Sequence, residues 1–172
     1  MLAQDLQALF GGTKVLVVDD EYYTRKVIRT LLTAIGVNSI FDADNGPAGL
    51  QAIRSMLPDV VLVDWEMPAM DGASFVRAVR SPASFPHPNV PIIMLTCHSE
   101  RWRVEEAMRL GVNEYLLKPV SSKTLLDRML SVLTKPRPIV KVGKYYGPEP
   151  RPGCSYKPVN EASLGEIHLI RD

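Results

Sequence analysis

Three short runs in this chain are apolar from end to end and then stop on a residue able to do oxygen chemistry. Val15-Leu16-Val17-Val18 leads into Asp19-Asp20, Val60-Val61-Leu62-Val63 into Asp64, and Pro91-Ile92-Ile93-Met94-Leu95 into Thr96. A run without polar alternation has no side to give to water, so each reads as a strand buried on both faces. Strands of that kind belong to parallel sheets, where consecutive strands are joined by crossovers long enough to hold a helix. The feature therefore excludes a one-sided antiparallel sheet and calls for helices in between.

Helical spacing is present where it is needed. Tyr23, Val27, Leu31 and Ile35 recur at fourfold intervals, with Ile28 and Leu32 widening the face and Gly36 as a stop. Ala48, Ala52, Ile53 and Met56 predict a second helix ended by Pro58, and Phe75, Val76 and Val79 a third. Val104, Ala107 and Met108 before Gly111 predict a fourth, and Leu125, Leu126, Met129, Leu130 and Leu133 a fifth. Two weaker strands, Ser39–Ala43 and Glu114–Leu117, complete five strand–helix repeats. Their alternation predicts an α/β fold with a parallel sheet covered on both faces and right-handed crossovers.

Outside that repeat lie two extensions. Residues 1–12 carry Leu2, Leu6, Leu9 and Phe10 on one side of a possible short helix, and residues 13–134 hold the repeats. From 135 to 172 the periodicity collapses: six prolines, three glycines and six Lys/Arg residues against one Glu occupy 135–160. That composition predicts an extended tail rather than a second core, with Tyr145, Tyr146 and the late apolar residues Leu164, Ile167, Leu169 and Ile170 as docking elements.

Composition narrows the partners. Twenty Lys/Arg against nineteen Asp/Glu leave a net charge of +1, so no basic field advertises a nucleic acid. The 172 residues contain no apolar stretch of the length needed to span a membrane and no basic-leader signal peptide. Cys97 and Cys154 make no disulfide framework, and the reading is cytoplasmic. His87 and His168 have no companions at ligand spacing.

In a parallel sheet the residues that end the strands share one edge. Asp19, Asp20, Asp64, Thr96 and Lys118 all stand there. Three carboxylates repel one another unless a cation lies between them, and hard oxygen ligands suit Mg²⁺, with Mn²⁺ as a substitute. Lys118 adds a positive charge and Thr96 a hydroxyl, which together suit the oxygens of a phosphoryl group.

From Lys14 to Leu133 the chain resembles the receiver domain of two-component response regulators. The resemblance is carried by Val15-Leu16-Val17-Val18-Asp19-Asp20-Glu21, Asp64-Trp65-Glu66-Met67-Pro68-Ala69-Met70-Asp71-Gly72, Leu95-Thr96 and Tyr115-Leu116-Leu117-Lys118-Pro119. It implies a flavodoxin-like, doubly wound five-stranded sheet in the order 2-1-3-4-5. It further implies that Asp64 accepts a phosphoryl group from a sensor histidine kinase or a histidine phosphotransfer protein. Asp19, Asp20 and Asp64 would hold Mg²⁺, joined by the backbone carbonyl of Glu66, whose side chain would lie near attacking water. Thr96 and Lys118 would bind the phosphoryl oxygens, and Thr96 with Tyr115 would relay the event to the face built by the last two helices and the last strand. The segment Tyr145-Tyr146-Gly147-Pro148-Glu149-Pro150-Arg151 is similar to a tail of some bacterial stand-alone receivers.

The function that follows is a phosphorylation-dependent switch of protein–protein contacts, not a dedicated enzyme, with slow intrinsic loss of the phosphoryl group, a downstream protein partner and a possible homodimer. Competing readings are a constitutive scaffold with a residual pocket, a Mg²⁺-dependent phosphatase with an aspartyl nucleophile, and a DNA-associated regulator working through another component. Residue by residue, Asp19, Asp20 and Thr96 also suit helix caps, Tyr115 suits the end of a core, and Cys97 is expected to pack internally. His98 reads as an accessible loop residue near the pocket, and Trp65 as a shelter for the phosphorylated group or a kinase contact.

Overall fold

The computed structural model describes residues 2–153; Cys154, His168 and the apolar group from Leu164 to Ile170 lie outside the described residues. The chain runs α1 (Ala3–Gly11), β1 (Lys14–Val18), α2 (Tyr22–Ala34), β2 (Ser39–Ala43), α3 (Gly46–Met56), β3 (Val60–Asp64) and α4 (Gly72–Val79), continuing with β4 (Ile92–Thr96), α5 (Arg101–Leu110), β5 (Glu114–Leu117), α6 (Ser122–Thr134), β6 (Ile139–Val142) and β7 (Tyr145–Pro148). Strands β1 to β5 form one parallel sheet in the order β2-β1-β3-β4-β5. The fold is the flavodoxin-like sheet that the sequence implies.

The period of two along each strand divides the core into two layers. Leu16, Val18, Val61, Val63, Ile92 and Met94 face one side with Ile53 of α3, Phe75, Val76 and Val79 of α4, and Ala107 of α5. Val15, Val17, Val60, Leu62, Ile93 and Leu95 face the other with Phe10 of α1, Ile28 and Leu32 of α2, and Leu125, Met129 and Val132 of α6. Because β1, β3 and β4 are covered on both faces, their apolar residues are inaccessible, which is why those runs show no alternation in sequence.

Side chains at helix starts supply the caps. Asn45, Asp71 and Ser121 accept from the backbone N–H of Ala48, Ser74 and Thr124, at 2.8, 2.8 and 3.2 Å. The buried side of α2 centres on Ile28 and Leu32, whereas Tyr23 and Val27, expected on the apolar stripe, are exposed. The N-terminal residues form α1, and of their stripe Phe10 is fully buried while Leu2 is exposed.

Between residues 135 and 153 the chain forms structure of its own. Residues 139–148 fold into an antiparallel hairpin pairing Ile139 with Pro148 and Val142 with Tyr145. Tyr145, Gly147 and Pro148 are buried against the body of the domain. Scattered prolines hid this because they sit at the ends of the strands, where no ladder donor is needed.

Candidate functional site

Residue types at the C-terminal ends of β1, β3 and β5 converge on one acidic pocket. Asp19, the first residue past β1, is fully buried; Asp64, the last of β3, is 6% exposed; Asp20 faces solvent. One carboxylate oxygen from each lies within 4.8 Å of the other two. Lys118, one residue past β5, donates from Nζ to Asp64 Oδ1 at 2.8 Å and to Asp19 Oδ2 at 3.0 Å. The other Asp19 oxygen accepts from the backbone N–H of Glu21 at 2.8 Å, and Arg25 donates to the Asp19 carbonyl at 2.8 Å. Asp19 is thus fixed in place, while Asp20 is the member that opens to water.

Burial pushes the Asp64 carboxyl up to about 6: the hydrogen bond from Lys118 works in the opposite direction, and the neighbouring Asp19 and Asp20 charges add to the rise. For Lys118, burial disfavours the ammonium, but the hydrogen bonds to Asp64 and Asp19 outweigh it and hold its pKa above the ordinary lysine value. A carboxylate this strained by its neighbours gains from any added cation, and three converging carboxylate oxygens are the donor set a hard divalent ion takes. The residues present fit Mg²⁺.

The backbone around Asp64 leaves no slack. Trp65 N donates to Leu95 O at 2.9 Å and Gly72 N to Trp65 O at 2.8 Å. A Cβ at residue 72 would lie 2.4 Å from the Asp64 carbonyl oxygen, so the loop closes only over glycine. Ala69, within it, has φ 66°.

Thr96 ends β4 and is 1% exposed. Its Oγ accepts from His98 N at 3.0 Å, and its carbonyl accepts from Lys118 N at 2.8 Å. The His98 carbonyl in turn accepts from the Tyr115 hydroxyl. Burial raises the Tyr115 pKa, against a hydrogen bond with Thr96. Asp19, Asp20, Asp64 and Lys118 are brought together at this edge, with Thr96 at the end of the neighbouring strand, and the Glu66 side chain pairs with His98.

Other neighbours were invisible in the sequence. Arg103 of α5 stacks over Trp65, 5.6 Å from its ring centre, and over Trp102 at 4.4 Å, so that Trp65 is buried beside the acidic pocket. Helical spacing gave only the apolar residues of α5, and an arginine at the next position carried no signal. Cys97 is exposed, not packed internally as expected, because β4 ends at Thr96 and the chain has already left the core.

A nearly buried carboxylate between a lysine and two further acids at the edge of a 2-1-3-4-5 sheet is the arrangement of a receiver. The family model described as the response regulator receiver domain matches residues 15–130, and the chain belongs to that family. It is 33% identical over 122 residues to the chemotaxis protein CheY of Pseudomonas aeruginosa, covering 71% of this chain and 97% of that protein. It is 34% identical to CheY1 of Helicobacter pylori over 121 residues, covering 70% of this chain and 96% of the relative. Among solved structures, CheY4 of Vibrio cholerae superposes with a TM-score of 0.64 at 32% identity, covering 70% of this chain and 98% of that one. A CheY from Borrelia burgdorferi, solved with CheX, BeF₃ and Mg²⁺, gives 0.64 at 26% identity, covering 70% and 88%. Receivers of this type are signalling switches of two-component systems rather than classical enzymes, and they bind Mg²⁺ at an acidic pocket. Among the described residues no helix is long and apolar enough to cross a membrane.

Proposed function

We propose that Asp64 accepts a phosphoryl group from a phosphohistidine, supplied by a sensor histidine kinase or a histidine phosphotransfer protein, and that the modified chain exchanges protein partners in the cytoplasm. The observation that carries this reading is the position of Asp64: a nearly buried carboxylate in contact with Lys118 and within 4.8 Å of Asp19 and Asp20.

An Asp64 oxygen attacks phosphorus, the P–N bond breaks, and the electron pair leaves with the imidazole of the donor, which takes up a proton. Bound Mg²⁺ supplies positive charge against the phosphoryl oxygens. Asp19, Asp20 and Asp64 would hold that ion, with the Glu66 carbonyl as a further ligand. Lys118, already paired with Asp64, keeps the nucleophile's charge compensated before transfer and moves to a phosphoryl oxygen afterwards. Thr96 offers its hydroxyl to a second phosphoryl oxygen. Reorientation of that hydroxyl disturbs the contact with His98 N, and through the His98 carbonyl the hydroxyl of Tyr115. Receivers then pass the change on as a shift in population between two surfaces.

Incubation with radiolabelled acetyl phosphate and Mg²⁺ tests the assignment. Wild type takes up label and Asp64→Ala does not; label retained by Asp64→Ala would refute it.

A further inference from the structure

After α6 the chain turns back and lays the β6–β7 hairpin against the end of α5 and the start of β5, a contact that phosphoryl chemistry does not require. The approach is backbone on backbone: a Cβ at Gly147 would fall 2.7 Å from Gly111 Cα, and one at Gly111 would fall 2.6 Å from the Tyr146 carbonyl oxygen. Gly111 sits at φ 95° and its carbonyl accepts from Arg80 Nε at 2.8 Å. Tyr145 is buried and donates its hydroxyl to Pro148 O at 2.6 Å. Arg137 donates to Asn113 O at 2.7 Å and to Glu149 O at 2.6 Å. Arg151 pairs with Glu114, a buried carboxylate that also accepts from Ser131 Oγ at 2.7 Å. Val104, Met108 and Val112 meet Tyr145 and Pro148 across a cavity of about 190 Å³.

Two of the hairpin's anchors, Asn113 and Glu114, immediately precede Tyr115. The helix it covers begins directly after the loop that holds Cys97 and His98. A connected set of contacts thus leads from Thr96 through His98 to Tyr115 and, one residue back along β5, to Arg151 just beyond the hairpin. If Thr96 turns to a phosphoryl oxygen, the loop and the head of α5 shift. The Gly111–Gly147 contact has no side chain that can give way, so it tolerates such a shift least.

We propose that the C-terminal hairpin is a built-in brake: it docks on the α5–β5 surface of the unphosphorylated domain, and phosphorylation of Asp64 loosens it and uncovers Val104, Met108 and Val112. The proposal rests on Asp64 as the phosphoacceptor. By linkage, whatever factor phosphorylation costs the docked hairpin, a weakened hairpin returns to the phosphorylated state.

The test uses the full chain with beryllofluoride and Mg²⁺ as the phosphoryl mimic. Binding is followed by tryptophan fluorescence, since Trp65 adjoins Asp64, and hairpin docking by amide hydrogen exchange across 104–112 and 139–148. In wild type the mimic raises exchange in both segments about fivefold. Gly147→Ala loosens the hairpin without the mimic and tightens mimic binding by a comparable factor. Arg151→Ala does the same by a milder route and serves if Gly147→Ala does not fold. Saturable binding, lost in Asp64→Ala, with hairpin exchange unchanged would overturn the brake and leave the phosphoacceptor intact. So would loosened variants whose affinity for the mimic stays within about twofold of wild type. No binding at all would overturn the Asp64 assignment and the brake with it.

Discussion

Replacing Asp64 by Asn should make the metal-free protein more stable at neutral pH, even though it deletes the central residue of the site. Folding moves the Asp64 carboxyl from 3.8 to about 6, roughly two units, and each unit corresponds to about 1.4 kcal/mol. Between those two values the folded chain holds a proton that the unfolded chain releases, so stability declines as pH rises through that window and levels off above about 6. Above it, charged Asp64 costs the fold about 3 kcal/mol. Asn carries no such cost, and that figure is already net of the Lys118 hydrogen bond, which works against burial. The gain is therefore at most about 3 kcal/mol, or several °C in Tm for a chain of this size. Thermal unfolding with a chelator near neutral pH measures it, and repetition at about pH 3, below both values, where wild type binds the proton in either state, should remove most of the difference. An Asn variant less stable than wild type near neutral pH, or a difference independent of pH, would refute the reasoning. Mg²⁺ should narrow the gap by binding the folded wild type.

Lys118→Ala acts in the opposite sense, because it leaves fully buried Asp19 and nearly buried Asp64 without their cation; urea unfolding should show a loss of about 3 kcal/mol, and the Asp64 carboxyl should titrate above about 6 by NMR. Gly72→Ala forces a Cβ against the Asp64 carbonyl, so a loss of about 2 kcal/mol accompanied by reduced phosphoryl uptake is expected from urea unfolding and radiolabel assays. Arg80→Leu strips donors from the carbonyls of Pro88, Val90 and Gly111 and from the Asn113 side chain; urea midpoints should report a loss of about 3 kcal/mol or more.

How far the sequence spoke depended on what signal each element leaves. Strands β1, β3 and β4 were plain because burial on both faces imposes an unbroken apolar run, and their polar end residues marked the pocket before any coordinates did. Arg80 shows the opposite case. It is 5% exposed, yet an arginine just past a helix end ordinarily marks a solvated side, and its partners are three backbone carbonyls and the Asn113 side chain, distant in sequence, that no local pattern encodes. Glu114 read as the polar start of a strand, whereas its burial depends on Ser131 of α6 and Arg151 beyond the hairpin. The hairpin itself was obscured because its ladder is four residues long and its tight fit depends on two glycines distant in sequence, Gly111 and Gly147. In α2 the fourfold spacing selected Tyr23 and Val27, but the row beside it, Ile28 and Leu32, faces the sheet; periodicity finds a helix more readily than it finds which adjacent row is buried.

The central claim is chemical and local, and reductive trapping addresses it directly. Borohydride cleaves an aspartyl phosphate to homoserine, so treating the chain after exposure to acetyl phosphate and Mg²⁺, followed by peptide mass spectrometry, identifies the acceptor residue. The account expects homoserine at position 64 and at none of the other acidic positions, and none after exposure in the presence of a chelator. Homoserine at Asp19 or Asp20, with position 64 unmodified, would contradict it.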